Sequence, residues 1–321
     1  MTIFRDLTDA RELVDSFTRP ASTLLPVSRL RDDPQGDDDR WASVAELGWL
    51  GIGLPEDAGG VGLTLLEEVL AAQTFGRHLL STNFLATVLA AHAFAGLGRN
   101  DLATGLVSGV TRATLGWQVR NGSSLATVDA GSCDYLLVLS PAGLDIYERP
   151  DVVIHDDVHW GWPVALAAAA PPAWTVCDPE LVVRGQLLIA AMLAGIAGEA
   201  CDRGVEYAKV REQFGQPIGA FQAVKHHCAN MAIAAHAVRE LVTFAALSVV
   251  EGTPDAPRLA RAALNLALRA AGGNAGTNIQ VHGGMGFSDE CDAHLFLKTA
   301  RVLDAAAGGI DAVRRGMLHT T

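Results

Sequence analysis

The chain has 321 residues, enough by length for two or three domains and a large core. Half of its residues are apolar and 19% are charged, which excludes a disordered or fibrous chain. A formal net charge of −12 argues against nucleic acid and against anionic membrane surfaces as main partners.

The first stretch, residues 6–20, reads as an amphipathic helix stopped by Pro20. No apolar segment of a secretory signal precedes it, so a cytoplasmic protein is expected. Residues 29–40 (RLRDDPQGDDDR) lack apolar periodicity and read as an exposed connector. Trp41 opens a new helical segment. Residues 47–63 (LGWLGIGLPEDAGGVGL) hold too many glycines and prolines for a regular helix, and they match neither GxGxxG nor GxxxxGKS. Thr64 then suits a helix N-cap with Glu67 at the capping-box position, for a helix running to Arg77.

Between residues 111 and 184 the texture changes. Short apolar runs at 135–139, 144–147, 152–155 and 181–183, separated by Gly, Pro and Asp, predict a small β domain. Trp117, Trp160, Trp162 and Trp174 fall here and are expected in a core or an interface. The five cysteines, Cys133, Cys177, Cys201, Cys228 and Cys291, are scattered and never spaced as CxxC. Reduced, mostly buried thiols are expected, with no metal site.

From Gly185 helices dominate. The uncharged run 185–198 is too short to span a bilayer and reads as a buried helix. Residues 203–231 (RGVEYAKVREQFGQPIGAFQAVKHHCANM) predict a long helix ending near Gly215, a tight turn, and a second helix from about Phe221. Arg203, Lys209, Arg211, Lys225, His226 and His227 form a basic cluster in this otherwise acidic chain. In the last turn of a helix Lys209 and Arg211 complement the macrodipole, while a guanidinium beside a glycine-broken corner also suits a phosphate-bearing cofactor. The apolar positions 221, 224, 228, 231, 235, 238, 242, 245 and 249 recur every three or four residues, giving one buried stripe that includes Cys228 and Met231. Residues 252–257 break that helix, and another restarts from Arg258 to about Ala271. Short breaks between long helices predict a bundle. His294 is expected at the surface.

Three stretches carry a family resemblance. Residues 211–222 (REQFGQPIGAFQ), opened by Tyr207, residues 280–286 (QVHGGMG), and residues 41–77 resemble motifs of the flavin-dependent acyl-CoA dehydrogenases. The resemblance implies a mainly α fold with a small β domain: an N-terminal helical domain (1–110), a reduced middle β domain (111–184) and a C-terminal four-helix bundle (185–321). It implies FAD as cofactor, with Arg211, Gln213, Phe214, Phe221, Gln222, Gln280, His282, Gly283 and Gly284 reaching the FAD of another subunit across an interface. The middle segment lacks the Thr-Glu-Pro-like, Gly-Ser-Asp-like and Trp-Ile-Thr-like stretches that pack on the flavin ring, so the likeness does not extend to an independent flavin site.

The family's chemistry needs a carboxylate to take the α-proton of an acyl-CoA. By the resemblance its usual position falls on Ala307, ahead of Gly308-Gly309, and the rarer position near Gly185-Gln186 also lacks an acid. The expectation is therefore a subunit without its own catalytic Glu, paired with a catalytic subunit as α2β2 that holds most of the acyl-CoA, with a steroid side-chain thioester as a candidate substrate. The alternatives are a homomeric enzyme using Asp304 or Asp311 as base, and a flavin-free scaffold.

Overall fold

The computed structural model describes residues 3–33, 37–119, 124–131, 133–159, 163–168 and 170–318. It opens with helices α1 (Ile3–Leu24), α2 (Arg29–Asp32) and α3 (Asp37–Glu46), followed by the glycine-rich stretch, which winds through two short 3₁₀ turns at Trp49–Gly51 and Glu56–Ala58. Helices α4 (Leu65–Arg77), α5 (Thr82–Gly96) and α6 (Asn100–Val107) complete this part. Thr64 caps α4 as expected: its hydroxyl accepts from Leu66 N–H, and Glu67 reaches back to the Thr64 N–H at 2.9 Å.

Seven strands follow: β1 (Ala113–Gln118), β2 (Ser124–Val128), β3 (Tyr135–Ser140), β4 (Gly143–Glu148), β5 (Val152–His159), β6 (Pro163–Ala168) and β7 (Trp174–Val176). They form one mixed sheet in the order β5-β6-β2-β1-β3-β4-β7, antiparallel except for the β1–β3 pair. Trp174 packs edge-on against Phe94 of α5, 5.2 Å between ring centroids, and so joins the sheet to the helices. Trp117 is half-buried, while Trp160 and Trp162 lie outside the described residues.

The second half contains α7 (Pro179–Val210), a small hairpin β8 (Glu212–Gln213) and β9 (Gln216–Pro217), α8 (Gln222–Val250), α9 (Ala256–His282), α10 (Ala293–Ala306) and α11 (Ile310–Leu318). Helix α7 is the central element and packs against α4, α8, α9 and α10. Its approach to α4 is backbone on backbone. A Cβ added at Gly76 would stand 2.2 Å from the Met192 carbonyl oxygen, and one at Gly195 2.1 Å from that of Gln73. Only glycine fits at either place. Both α7 and α8 are long and apolar enough to cross a membrane by length and composition; that stretch is 83% buried within the protein in α7 but 33% in α8. Helix α8 buries Met231, Val238, Val242 and Ala245 on one side, and leaves Ile233 and Phe244 exposed on another.

Several expectations are corrected. Helix α1 continues through Pro20, whose ring lies on the exposed face, where water can serve the carbonyl that loses its partner. Arg29 does not sit in an exposed loop: it is buried, with its guanidinium donating to the carbonyls of Leu25, Pro26, His78 and Leu79. Leu181, Val182 and Val183 belong to the first turn of α7 and not to a strand, because Asp178 caps a helix there and Pro179 begins it. Helix α9 runs past Ala271 to His282, since Asn274 in its middle anchors it to neighbouring helices by donating to the Ala197 and Met231 carbonyls. His294 is buried and not at the surface; burial pushes its imidazole pKa down. Of the cysteines only Cys201 is fully buried, its thiol pushed up to about 11 by that burial; Cys133, Cys228 and Cys291 are half-buried and Cys177 is exposed.

Candidate functional site

The corner after α7 is built by its hydrogen bonds. The helix ends at Val210, not near Gly215; Arg211 has left helical geometry at φ −76°, ψ 122°, while its N–H still donates to the Tyr207 carbonyl at 2.9 Å. Gln213 then pairs with Gln216 across a two-residue turn made by Phe214 (φ 55°) and Gly215 (φ 78°). Two left-handed residues in succession are the signature of a type I′ hairpin turn. Gly215 serves the hairpin and not the helix end. The Ile218 N–H donates to the Arg211 carbonyl at 2.8 Å and closes the base. A left-handed conformation costs a phenylalanine about 1–2 kcal/mol. Burial does not offset that among the described residues: Phe214 is 91% exposed, and its ring neighbour there is Phe221, edge-on at 6.1 Å. Residues 211–217 all stand exposed.

The second stretch lies at the end of α9. Gln280 is exposed on the helix, and His282 is its last residue. Gly283 (φ 64°) turns the chain into a 3₁₀ segment, Gly283–Phe287, in which Gly283 and Gly284 are exposed with open space around them. Met285 and Phe287 beside them are also exposed.

These stretches, 69 positions apart from Arg211 to Gln280 in sequence, meet through Tyr207 and His282. The two rings stack with centroids 4.1 Å apart and an interplanar angle of 23°. The His282 Nδ1 donates to the Asn278 carbonyl at 2.9 Å, which fixes the ring. Behind the stack is a cavity of about 280 Å³ lined by Arg203, Glu206, Tyr207, Val210, Asn278, His282, Cys291, Asp292 and Ala293.

The basic cluster does not survive as one group. Arg203 is held by Glu199 at 2.9 Å and Asp292 at 3.1 Å, and Lys209 by Glu206 at 2.6 Å. Arg211 and Lys225 make no ion pair with the described residues, and Gln222, His226 and His227 are exposed on α8.

The expected base positions are equally definite. Ala307 is the C-cap of α10. Asp304 accepts the Ile310 N–H at 2.9 Å and lies 3.6 Å from Arg301, so it caps α11. Asp311 is exposed and lies 3.6 Å from Arg314. At Gly185 an added Cβ would come within 2.8 Å of the Leu139 side chain, so a longer residue has no room there.

One acidic residue that the sequence reading passed over is central to the packing. Glu68 on α4 is 2% exposed; it bonds His92 Nε2 of α5 at 2.8 Å and is paired with Arg184 of α7. Burial alone would push this carboxyl up, but the charges of His92 and Arg184 outweigh it and hold the group at about 2. A carboxyl held so low is a poor proton acceptor. The available signal was an acid inside the apolar run 65–72. A second charge array lies further along α7: Asp202–Arg77–Glu199–Arg203–Asp292–Arg31, alternating in sign and linking α4, α7, the start of α10 and α2.

Residues 8–112 match the family model described as acyl-CoA dehydrogenase, N-terminal domain, and residues 180–320 that described as acyl-CoA dehydrogenase, C-terminal domain. The chain is 30% identical over 309 residues to the acyl-CoA dehydrogenase IpdE2 of Mycobacterium tuberculosis, covering 90% of this chain and 89% of that protein. It is 31% identical over 335 residues to the acyl-CoA dehydrogenase FadE34 of the same organism, covering 96% of this chain and spanning just under half, 47%, of FadE34. Among solved structures it resembles a variant of the Tcur3481–Tcur3483 steroid ACAD (TM-score 0.79, 23% identity, 98% of this chain and 97% of that one). It also resembles the ChsE4–ChsE5 complex of Mycobacterium tuberculosis (TM-score 0.78, 24% identity, 98% of each chain), and these two likenesses speak to the fold. By its family-model matches and its full-length relative, the chain belongs to the acyl-CoA dehydrogenase family.

Proposed function

We propose that this chain is the non-catalytic subunit of a heteromeric FAD-dependent acyl-CoA dehydrogenase, of α2β2 type, and that it lends part of the FAD site to a catalytic partner. The observation that carries the reading is a contrast. Both positions where the family would place its base hold residues that cannot take a proton, Ala307 and Gly185, and Asp304 is occupied as a helix cap. Meanwhile the hairpin that bears Arg211 and Phe214 stands out from the chain in a strained conformation, with an unengaged guanidinium among the described residues.

The residues fit a dinucleotide. Arg211 offers a planar fork for phosphate oxygens, and Gly283 and Gly284 permit close backbone approach. When bound, FAD would accept the hydride taken from the acyl chain. This chain's contribution is to hold the cofactor and exclude water through Phe214, Phe221, Met285 and Phe287, with Gln213, Gln222, Gln280 and His282 as polar contacts. The exposed apolar side of α8 is a surface for chain–chain contact in the same assembly. The two-protein composition in the names of the Tcur3481–Tcur3483 steroid ACAD and the ChsE4–ChsE5 complex supports a paired assembly, and the first name supports a steroid thioester as substrate class.

The test is co-expression with the catalytic partner, isolated through its binding to this chain. The complex is expected to be yellow and active. Arg211→Ala is expected to weaken FAD retention about 10- to 100-fold, the loss of one charge-assisted contact of ~1.5–3 kcal/mol. If the chain alone purifies with stoichiometric FAD and oxidises an acyl-CoA, the reading is wrong.

A further inference from the structure

A second cavity, of about 50 Å³, lies between α2, α3, the start of α5 and the sheet, where Arg112 leads into β1 and Asp129 follows β2. It shares no lining residue with the cavity behind the Tyr207–His282 stack. Its wall carries three guanidiniums, Arg29, Arg40 and Arg112, and one carboxylate, Asp129. A cleft walled mainly by one sign of charge concentrates ions of the other.

The contacts around each group leave that excess in place. Arg29 is committed to four backbone carbonyls and is 3% exposed, so it adds charge behind the wall and not a contact surface. Arg40 donates to the Asp33 carboxylate at 2.6 Å, but that side chain is 58% exposed and water screens the pair. Arg112 stands over the Trp41 ring, 5.0 Å from its centroid, a contact made with the face of the guanidinium and not with its N–H edge. Asp129 accepts from the Ser81 hydroxyl at 2.6 Å and the Asn83 amide at 3.0 Å. Ser81 is the N-cap of the 15-residue α5, so the positive end of that helix faces the same wall. Arg40, Arg112 and Asp129 are half-buried and keep surface with which to touch a ligand.

The backbone here is also strained. Leu79 (φ 49°) and Asp129 (φ 55°) are two of the four non-glycine residues with positive φ among the described residues, and they bracket this wall in space, joined through Ser81. Such conformations gather where a ligand is clamped. The volume sets the size of the occupant: room for roughly four waters at ~10–15 Å³ each, or for one tetrahedral oxyanion, and none for a nucleotide or an acyl chain.

We infer that this cavity is a binding site for a single phosphate-sized oxyanion, held by the guanidinium forks of Arg40 and Arg112, with Arg29 and the start of α5 supplying positive potential behind them. Such an ion ties α3 to the first strand of the sheet. The inference does not depend on the shared-FAD reading.

The test is isothermal titration calorimetry of inorganic phosphate into the full chain carrying Arg211→Ala, so that the hairpin guanidinium does not compete, with ionic strength held constant by NaCl. Saturable binding at one site per chain is expected. Adding Arg40→Gln or Arg112→Gln should weaken it about tenfold or more, the loss of one charge-assisted contact. The unsubstituted chain gives a second reading that needs no variant: its melting temperature should rise with the logarithm of phosphate concentration as binding to the folded state requires. Absence of a saturable heat overturns the inference. So does binding that survives both glutamine substitutions, or a rise in melting temperature that NaCl alone reproduces. Ethyl phosphate identifies the source of the ion. Weaker binding than phosphate assigns the site to the free ion, and equal binding assigns it to the phosphate end of a larger molecule standing at the mouth.

Discussion

Tyr207 and His282 lie face to face, 4.1 Å between ring centroids, and this pair ties the last turn of α7 to the last turn of α9. Tyr207 is one helical turn before Arg211, and His282 immediately precedes Gly283. The stack therefore sets the position of the Arg211 hairpin relative to the glycine turn, two features that share no backbone hydrogen bond. Tyr207→Leu is expected to destabilise the chain by about 1 kcal/mol, the worth of an aromatic pair beyond its area. Tyr207→Phe keeps the ring and should stay within about 0.5 kcal/mol of wild type. Urea unfolding of the purified variants compares the two.

The Glu68 carboxylate gives the fold a specific acid sensitivity. Its folded value is depressed from 4.5 to about 2, so its stabilisation is complete above 4.5 and lost as pH falls towards 2. The depression corresponds to on the order of 3 kcal/mol at ~1.36 kcal/mol per unit. Glu68→Gln leaves the half-buried Arg184 without its counter-charge and is expected to cost about 3 kcal/mol at neutral pH. That penalty should shrink between pH 4.5 and 2. Chemical denaturation of both proteins across this range would show the curves converging; parallel curves would contradict the assignment.

Asp304 distinguishes a shared site from a self-sufficient one. As the acceptor for Ile310 N–H it is worth about 1 kcal/mol, so Asp304→Ala should lower stability by that amount. Flavin reduction by substrate in the paired complex should be unchanged. A fall of ~10²–10⁴-fold in the reduction rate, followed by stopped-flow absorbance, would instead identify Asp304 as the proton acceptor.

Asp292 sits between Arg31 at 2.7 Å and Arg203 at 3.1 Å, with its side chain 14% exposed. Asp292→Ala removes the acid that holds α2 and α7 to the start of α10 and leaves two guanidiniums facing each other. A loss of about 1 kcal/mol is expected at low salt, larger than an isolated surface pair gives because the charges form a network. Raising NaCl to about 1 M should erase most of the difference between variant and wild type in thermal unfolding, since screening then acts within ~3 Å.

The helices with strong periodicity and marked ends were legible from the sequence. Thr64 and Glu67 announced α4, the apolar run after Gly185 announced α7, and the β segments 135–139, 144–147 and 152–155 became β3, β4 and β5. The errors share a cause. Leu181-Val182-Val183 is a short apolar run whose periodicity fits strand and helix alike, and the Asp178 cap with Pro179 decided it. Arg29 opens the charge-rich stretch 29–40, and the carbonyls of His78 and Leu79, distant in sequence, contribute to making its burial favourable. Gly215 looked like a helix end because a glycine alone does not say which of two motifs its left-handed φ serves.

The sequence by itself determined the family, the absence of an acid at 307 and at 185, and the presence of a guanidinium at a glycine-broken corner, because these depend only on residue identity and order. The tertiary structure decided which of the charges are available. Arg203 and Lys209 read the same as Arg211 in one dimension, but Coulomb attraction acts through space, and folding brings Asp292 to Arg203 while it leaves Arg211 in solvent. The pairing of Glu68 with Arg184 and the capping role of Asp304 are likewise consequences of which helix faces meet.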